Sequence, residues 1–325
     1  MERKKKLLVL TDTGGRYGYG HVMRCLNIVE ALDPEYWEIS FAAGMSDLEC
    51  FDERFAKYRI YDFGASSMQQ VASLPTSDWV LLDSFAVSQS LEIALKATGR
   101  SVFVIDGMLR PHNVDVLLDP IERPTKLRLA HSQFATLLLS GPRFAAIDRR
   151  FSEISALSST APTRIGVSMG SAKNAEDTDA ILQSLERIGY NSDVHVVGGF
   201  DRRLKLSFPI KCSDWVSNGP ELLSNCSAVI GTCGMSAWER CAAGVPSLSF
   251  QTIENQKHVA NALAAEEAGL IVRDAPSRMM SAELDAYLKH FIHNSSIWER
   301  YAERGRRLCD GLGSCRIAQA LEEFD

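Results

Sequence analysis

The sequence predicts two α/β domains, each built on a doubly wound parallel sheet, facing each other across a cleft. Three observations predict it. Short, almost uninterrupted apolar runs recur, each followed by a turn and a stretch of helical periodicity, as in strands buried on both faces. The series breaks once, at a stretch rich in Ser, Thr and Ala, and then restarts. Each series holds one conspicuous strand, small-residue loop and helix unit, at 11–32 and at 229–250.

The bulk properties fit. A chain of 325 residues is too long for one small core and suits two domains. Hydrophobic residues make up 46%, enough for packed interiors, and the net charge of -6 argues against nucleic acid or an anionic membrane surface as a general partner. No apolar run approaches the ~20 residues of a membrane span, and "LLVL" after the basic residues 3–6 is too short for a signal-peptide core. A cytoplasmic protein is the expectation. The eight cysteines form no C-x-x-C pair and have no histidine at zinc-ligand spacing. They read as small buried hydrophobes, with no disulfide and no structural metal.

In order, "KLLVLTD" (6–12) reads as a strand and 21–32 as a helix, with Val22, Cys25, Leu26, Val29 and Leu32 on one buried stripe. "EISFAAG" (38–44), "RIYDFG" (59–64), "DWVLLDSF" (78–85), "SVFVIDG" (101–107) and "VDVLLD" (114–119) read as further strands. Residues 151–164 read as a linker. "RIGVSMG" (164–170), "DVHVVGG" (193–199), "SAVIGTCG" (227–234) and "VPSLSF" (245–250) then alternate with helices. The expected division is 1–155, 160–305, and a C-terminal helix in 306–325 packing back on the first domain.

The loop "TDTGGRYGYGH" occupies the strand-to-helix position where α/β sheets bind ligands. Glycine admits positive φ and close backbone approach, and free N–H groups at a helix start favour an anion. It is neither a dinucleotide fingerprint, since Met23 stands where a third glycine is needed, nor a Walker loop. His21 at its end suits a base near neutral pH, one that needs no paired carboxylate. Arg24, one turn on, orients the loop or pairs with a carboxylate. Asp12, Asp83 and Asp106 sit at strand ends; His112 and His258 read as structural. In the second unit Gly231 and Gly234 open the helix, Thr232 and Ser236 offer hydroxyls, and Glu239 lies one turn in, placed for a ribose diol while the helix start faces phosphate. Asn255 and Gln256 begin another helix on the same side.

These segments carry a resemblance. "GYGHVMR" (18–24), "WVLLDSF" (79–85), "PHNVDVLLD" (111–119), "GVSMG" (166–170), "VIGTCGMSAWERCAAGVPSLSF" (229–250), "ENQ" (254–256) and "DGLGSCR" (310–316) follow in order. The chain resembles the nucleotide-sugar hydrolases of pseudaminic acid biosynthesis and the related spore-coat polysaccharide proteins. The resemblance implies the GT-B fold of the MurG-like glycosyltransferases and metal-free, cofactor-free hydrolysis of a UDP-linked acetamido-deoxy sugar with inversion at the anomeric carbon. It places His21 on the family's catalytic histidine. Gly18, Tyr19, Gly20, Arg24, Asp83, Phe85, Gly170, Ser171, Gly231, Thr232, Cys233, Gly234, Met235, Ser236, Glu239, Asn255 and Gln256 form the substrate-binding set. The chain departs from the family at Phe85, where a hydroxyl-bearing aromatic is usual, at Gly170-Ser171-Ala172-Lys173, and at Gly107, which follows Asp106 in place of an acid. These departures bear on the sugar, not on the fold. A glycosyltransferase with a sugar acceptor, and a non-catalytic nucleotide-sugar binding protein, stay open. The expected partner is a small nucleotide sugar, with no nucleic acid and no membrane insertion.

Overall fold

A computed structural model describes residues 3–12, 20–43, 52–62, 74–84, 87–154, 163–170, 175–213, 216 and 219–324. The chain forms two compact units, Met1–Ile147 with Leu312–Asp325, and Asp148–Gly311.

The first unit carries β1 (Lys5–Thr11), α1 (Gly20–Val29), β2 (Trp37–Ala43), α2 (Asp52–Phe55), β3 (Arg59–Asp62), β4 (Trp79–Asp83), α3 (Gln89–Ala97), β5 (Ser101–Ile105), β6 (Val114–Asp119), α4 (Thr125–Ser132) and β7 (Ala135–Ser140). All seven strands pair in parallel, in the order β3-β2-β1-β4-β5-β6-β7. Central strands such as β4 are buried at every residue, which is why they read as continuous apolar runs. One face packs Val22, Cys25, Leu26 and Val29 of α1 around Phe41, Leu81 and Phe103. The other packs Leu91 and Leu95 of α3 on Leu8, Leu82 and Val104.

The second unit carries β8 (Arg164–Ser168), α5 (Ala175–Arg187), β9 (Asp193–Val197), β10 (Ile210–Ser213), α6 (Gly219–Ser224), β11 (Ala228–Thr232), α7 (Met235–Ala243), β12 (Ser247–Phe250), α8 (Lys257–Ala265), β13 (Leu270–Val272), α9 (Ser281–His293) and α10 (Trp298–Leu308). Its parallel six-stranded sheet runs β10-β9-β8-β11-β12-β13. α7 ends at Gly244, whose φ of 62° is the left-handed stop that glycine adopts without strain. The chain then returns to the first unit through α11 (Gly313–Glu322), where Ile317, Ala318 and Leu321 join the core around α1.

Three differences from the sequence reading have physical causes. The helix expected to reach Leu32 ends at Val29, just ahead of the Asp33-Pro34 turn, although Leu32 stays buried. The stretch read as a linker from 151 opens within a 3₁₀ turn, Arg149–Glu153, that buries Phe151 at 3% exposure; 155–162 lie outside the described residues. Strands β7, β10 and β13, absent from the sequence reading, are all sheet edges. An edge strand has one paired side and less burial, so it needs no long apolar run.

Candidate functional site

In an open parallel sheet the crevice beyond the strand ends lies where strand order reverses. In the first unit that point falls between β1 and β4, in the second between β8 and β11. β1 ends there at Thr11, and β11 ends there at Thr232.

In the first unit, burying Val22, Cys25, Leu26 and Val29 sets the rotation of α1. His21 and Arg24, three residues apart, then flank the buried stripe over one turn. Both reach Asp83, the last residue of β4, which pairs in register with Thr11 of β1. His21 Nδ1 lies 2.6 Å from Asp83 Oδ1. Arg24 grips the same carboxylate from two nitrogens, Nε to Oδ2 at 2.9 Å and Nη2 to Oδ1 at 2.7 Å. The Asp83 side chain is 1% exposed. Burial pushes its carboxyl up, but Arg24 and His21 outweigh that and hold it below the usual carboxylate value. Arg24 Nη2 also lies 3.0 Å from His21 Nδ1. The shorter contact, to a charged carboxylate, is the one in which Nδ1 donates to Asp83. The expectation of a histidine working without a carboxylate is therefore corrected: Asp83 is its partner. Alongside, Ser84 Oγ donates to Asp12 Oδ1 at 2.9 Å.

A second buried network borders this one. His112 Nδ1 lies 2.7 Å from Glu92 Oε1 and its Nε2 lies 3.0 Å from Asp106 Oδ2. Burial alone would lower the His112 pKa, but the two carboxylates raise it to about 9. Asp106 also accepts from the Arg110 side chain and from two backbone N–H groups, and falls to about 2 despite its burial. Asp106, His112 and His131 each offer a ligand atom within 4.8 Å of the others. Both His112 nitrogens and both Asp106 oxygens are already engaged, so a cation would have to displace existing bonds. The arrangement is that of an ion-pair network bracing the ends of β5 and β6.

In the second unit, Gly234 precedes α7 with no side-chain cap among the described residues, and the Ala237 N–H donates to the Gly234 carbonyl at 3.0 Å. Gly231 is confined: an added Cβ would meet Arg240 Nη1 at 2.9 Å and the Ser168 carbonyl oxygen at 3.0 Å. Ser236, Glu239 and Arg240 share a cavity with Gly166, Ser168, Val197, Gly219 and Leu222. Glu239 is half-buried there. Desolvation and Asp148 raise its pKa to about 7, against the pull of Arg240. Thr232 and Cys233 are buried, and burial moves the Cys233 thiol up to about 11. Gly170, at φ 91°, lies two residues beyond the end of β8.

The first unit thus joins His21, Arg24 and Asp83, with Gly20 at the start of their helix. The second joins Gly231, Thr232, Cys233, Gly234, Met235, Ser236 and Glu239 in one strand-to-helix turn. Asn255 is exposed, and the Gln256 side chain accepts from the Thr252 N–H at 2.9 Å, so neither lines that cavity. Gly18, Tyr19, Phe85 and Ser171 lie outside the described residues. Arg240 went unread in the sequence. The available signal was an arginine three residues after Ala237, on a helix stripe whose other buried residues, Ala237, Trp238, Cys241, Ala242 and Ala243, carry no charge.

No family model and no curated protein matches the chain. Solved structures do. MurG of Acinetobacter baumannii is 16% identical, over 99% of this chain and 100% of that one, with a TM-score of 0.66. The spinosyn forosaminyltransferase SpnP is 14% identical, over 99% of both, at 0.69. MnaA of S. aureus, solved with UDP, is 14% identical, over 98% of this chain and 96% of that one, at 0.65. The chain has the GT-B fold, with two parallel-sheet α/β units, as the sequence predicts. Among the described residues no helix is long and apolar enough to cross a membrane.

Proposed function

We propose that the chain is a nucleotide-sugar hydrolase that releases UDP from a UDP-linked acetamido-deoxy sugar. One observation carries the reading: the 2.6 Å bond from His21 Nδ1 to the buried, ionised Asp83 supports the tautomer in which Nε2 acts as the base. The water proton passes to His21 Nε2 while the water oxygen bonds to the anomeric carbon. The bond from that carbon to the phosphate oxygen breaks, and its electron pair leaves with UDP. Asp83 stabilises the imidazolium so formed. A diphosphate leaves readily once its charge is met, and the start of α7 offers backbone N–H groups for that. Glu239 suits the ribose diol. UDP bound in MnaA, a protein of the same fold, supports the choice of nucleotide.

A glycosyltransferase is the second reading, favoured by the likeness to SpnP, named a forosaminyltransferase. There the same histidine would deprotonate a sugar hydroxyl. The test is to incubate the protein with a panel of nucleotide sugars, with and without acceptors, and measure nucleotide release. Release without acceptor supports the hydrolase; release only with acceptor supports the transferase. His21→Ala should slow either reaction by about 10²–10⁴-fold and leave UDP affinity nearly intact. Turnover within a few-fold of wild type would reduce His21 to a helix-start residue.

A further inference from the structure

Three arginines near the carboxyl ends of the first sheet's strands meet a carboxylate. Arg24 pairs with Asp83, Arg110 with Asp106, and Arg123 with Asp119. Arg240 does not. It is 2% exposed, and its guanidinium donates to the Thr232 carbonyl at 2.8 Å, to Ser249 Oγ at 3.0 Å and to Ser236 Oγ at 3.1 Å. All three acceptors are neutral, and Nε has no hydrogen-bond partner among the described residues. Glu239 is the nearest acid in sequence and makes no hydrogen bond to it among the described residues. Glu239 attracts this charge through space, but desolvation outweighs the attraction and lowers the Arg240 pKa.

The place of this charge matters. Arg240 lies directly behind Gly231, where a methyl group would touch Nη1, and it lines the same cavity as Ser168, Ser236 and Glu239. Its bonds tie the end of β11, the middle of β12 and the first turn of α7. The loop in front of it is the stretch whose N–H groups open α7 without a cap. A charge held behind a thin, glycine-walled loop, out of water, acts on whatever lies before the loop with little screening.

We propose that Arg240 is the built-in counter-charge for the diphosphate of the ligand, a positioning residue that acts through the Gly231–Met235 loop and makes the site select phosphate esters over neutral nucleosides. This rests on reading the second unit as the nucleotide site. The field adds to that of the helix start, and because the charge is fixed it requires no reorganisation when the ligand arrives. It also predicts an ordering: each added phosphate charge should gain from Arg240, and the uridine moiety should gain nothing.

A brace and a counter-charge give different results. Calorimetry with uridine, UMP and UDP on the full chain, at one ionic strength, separates them. In the wild type affinity should rise along the series. Arg240→Met, close in length and uncharged, should weaken UDP by about 10- to 100-fold, UMP by less, and uridine by no more than about twofold. Arg240→Lys keeps the charge and loses the fork, so it should restore most of the UDP affinity. Thermal melts check folding. If Arg240→Met does not fold, inorganic pyrophosphate decides with the wild type and Arg240→Lys: it should displace UDP from both. Equal loss for all three ligands, unchanged UDP binding in Arg240→Met, or failure of pyrophosphate to compete would each overturn the inference. A wild type that binds UDP while Arg240→Met loses every ligand alike removes this inference alone. A wild type that binds none of the three removes the nucleotide-site reading and this inference with it.

Discussion

Replacing Asp83 by asparagine tests how the histidine is poised. The side chain keeps its shape, and one oxygen becomes an NH₂ donor. In the wild type Oδ1 takes both His21 Nδ1 and Arg24 Nη2, and Oδ2 takes Arg24 Nε. If the amide nitrogen occupies the Oδ1 position, it faces an Arg24 donor and forces His21 Nδ1 to accept. The proton then sits on Nε2, and the base is gone. If it occupies the Oδ2 position, it faces Arg24 Nε–H, and one guanidinium donor is orphaned. Either way a charge-assisted bond in a buried site is lost, worth about 1.5–3 kcal/mol of stability. The tautomer change should lower turnover by about 10²–10⁴-fold, with KM for the nucleotide sugar changed little. Urea denaturation gives the first number and nucleotide release the second. The sign with pH follows from the lowered Asp83 pKa: its contribution is present above the ordinary carboxylate value and lost as pH falls through the depressed one. Turnover of Asp83→Asn within about threefold of wild type, with Arg24 still bound, would refute the tautomer argument.

His112→Gln should destabilise the first unit. The wild-type histidine has a folded pKa of about 9 against 6.5, so its contribution, on the order of 3 kcal/mol, is present below pH 6.5 and lost as pH rises through 9. Denaturation curves from pH 6 to 9.5 should show that slope in wild type and not in the variant; parallel curves would sink the reading. Glu239→Gln should do the opposite. A carboxyl raised from 4.5 to about 7 stabilises fully below pH 4.5 and loses that contribution as pH climbs through 7, so above pH 7.5 the variant should be the more stable by about 1–3 kcal/mol. UDP affinity of wild type should rise between pH 6 and 8 as the carboxylate forms, and a flat profile counts against the ribose role. Gly313→Ala would press a methyl into the Ala145 backbone carbonyl, so it should cost about 1–3 kcal/mol through displacement of α11. A melting temperature within a degree of wild type would contradict that close approach.

Much of this protein was legible in one dimension. Central strands buried on both faces must be continuously apolar, so β1, β4, β5, β6, β8 and β11 announce themselves. The spacing of Val22, Cys25, Leu26 and Val29 defines the buried stripe of α1, and Gly234 marks where β11 hands over to α7. Strand order, edge strands and partners were not legible. β7, β10 and β13 exist because an inner strand offers a free row of backbone donors and acceptors, which is a property of the assembled sheet. The bond between His21 and Asp83 joins residues 62 apart, brought together because β4 pairs beside β1 and in that register. Arg240 reads in sequence as one more helix charge; folding turns it inward and leaves it facing neutral acceptors. Periodicity records which face of an element avoids water, and so the sequence by itself determined the elements and their buried faces. Which charge meets which depends on distances that exist only after the sheets have formed, and so the tertiary structure alone decided the chemistry at their edges.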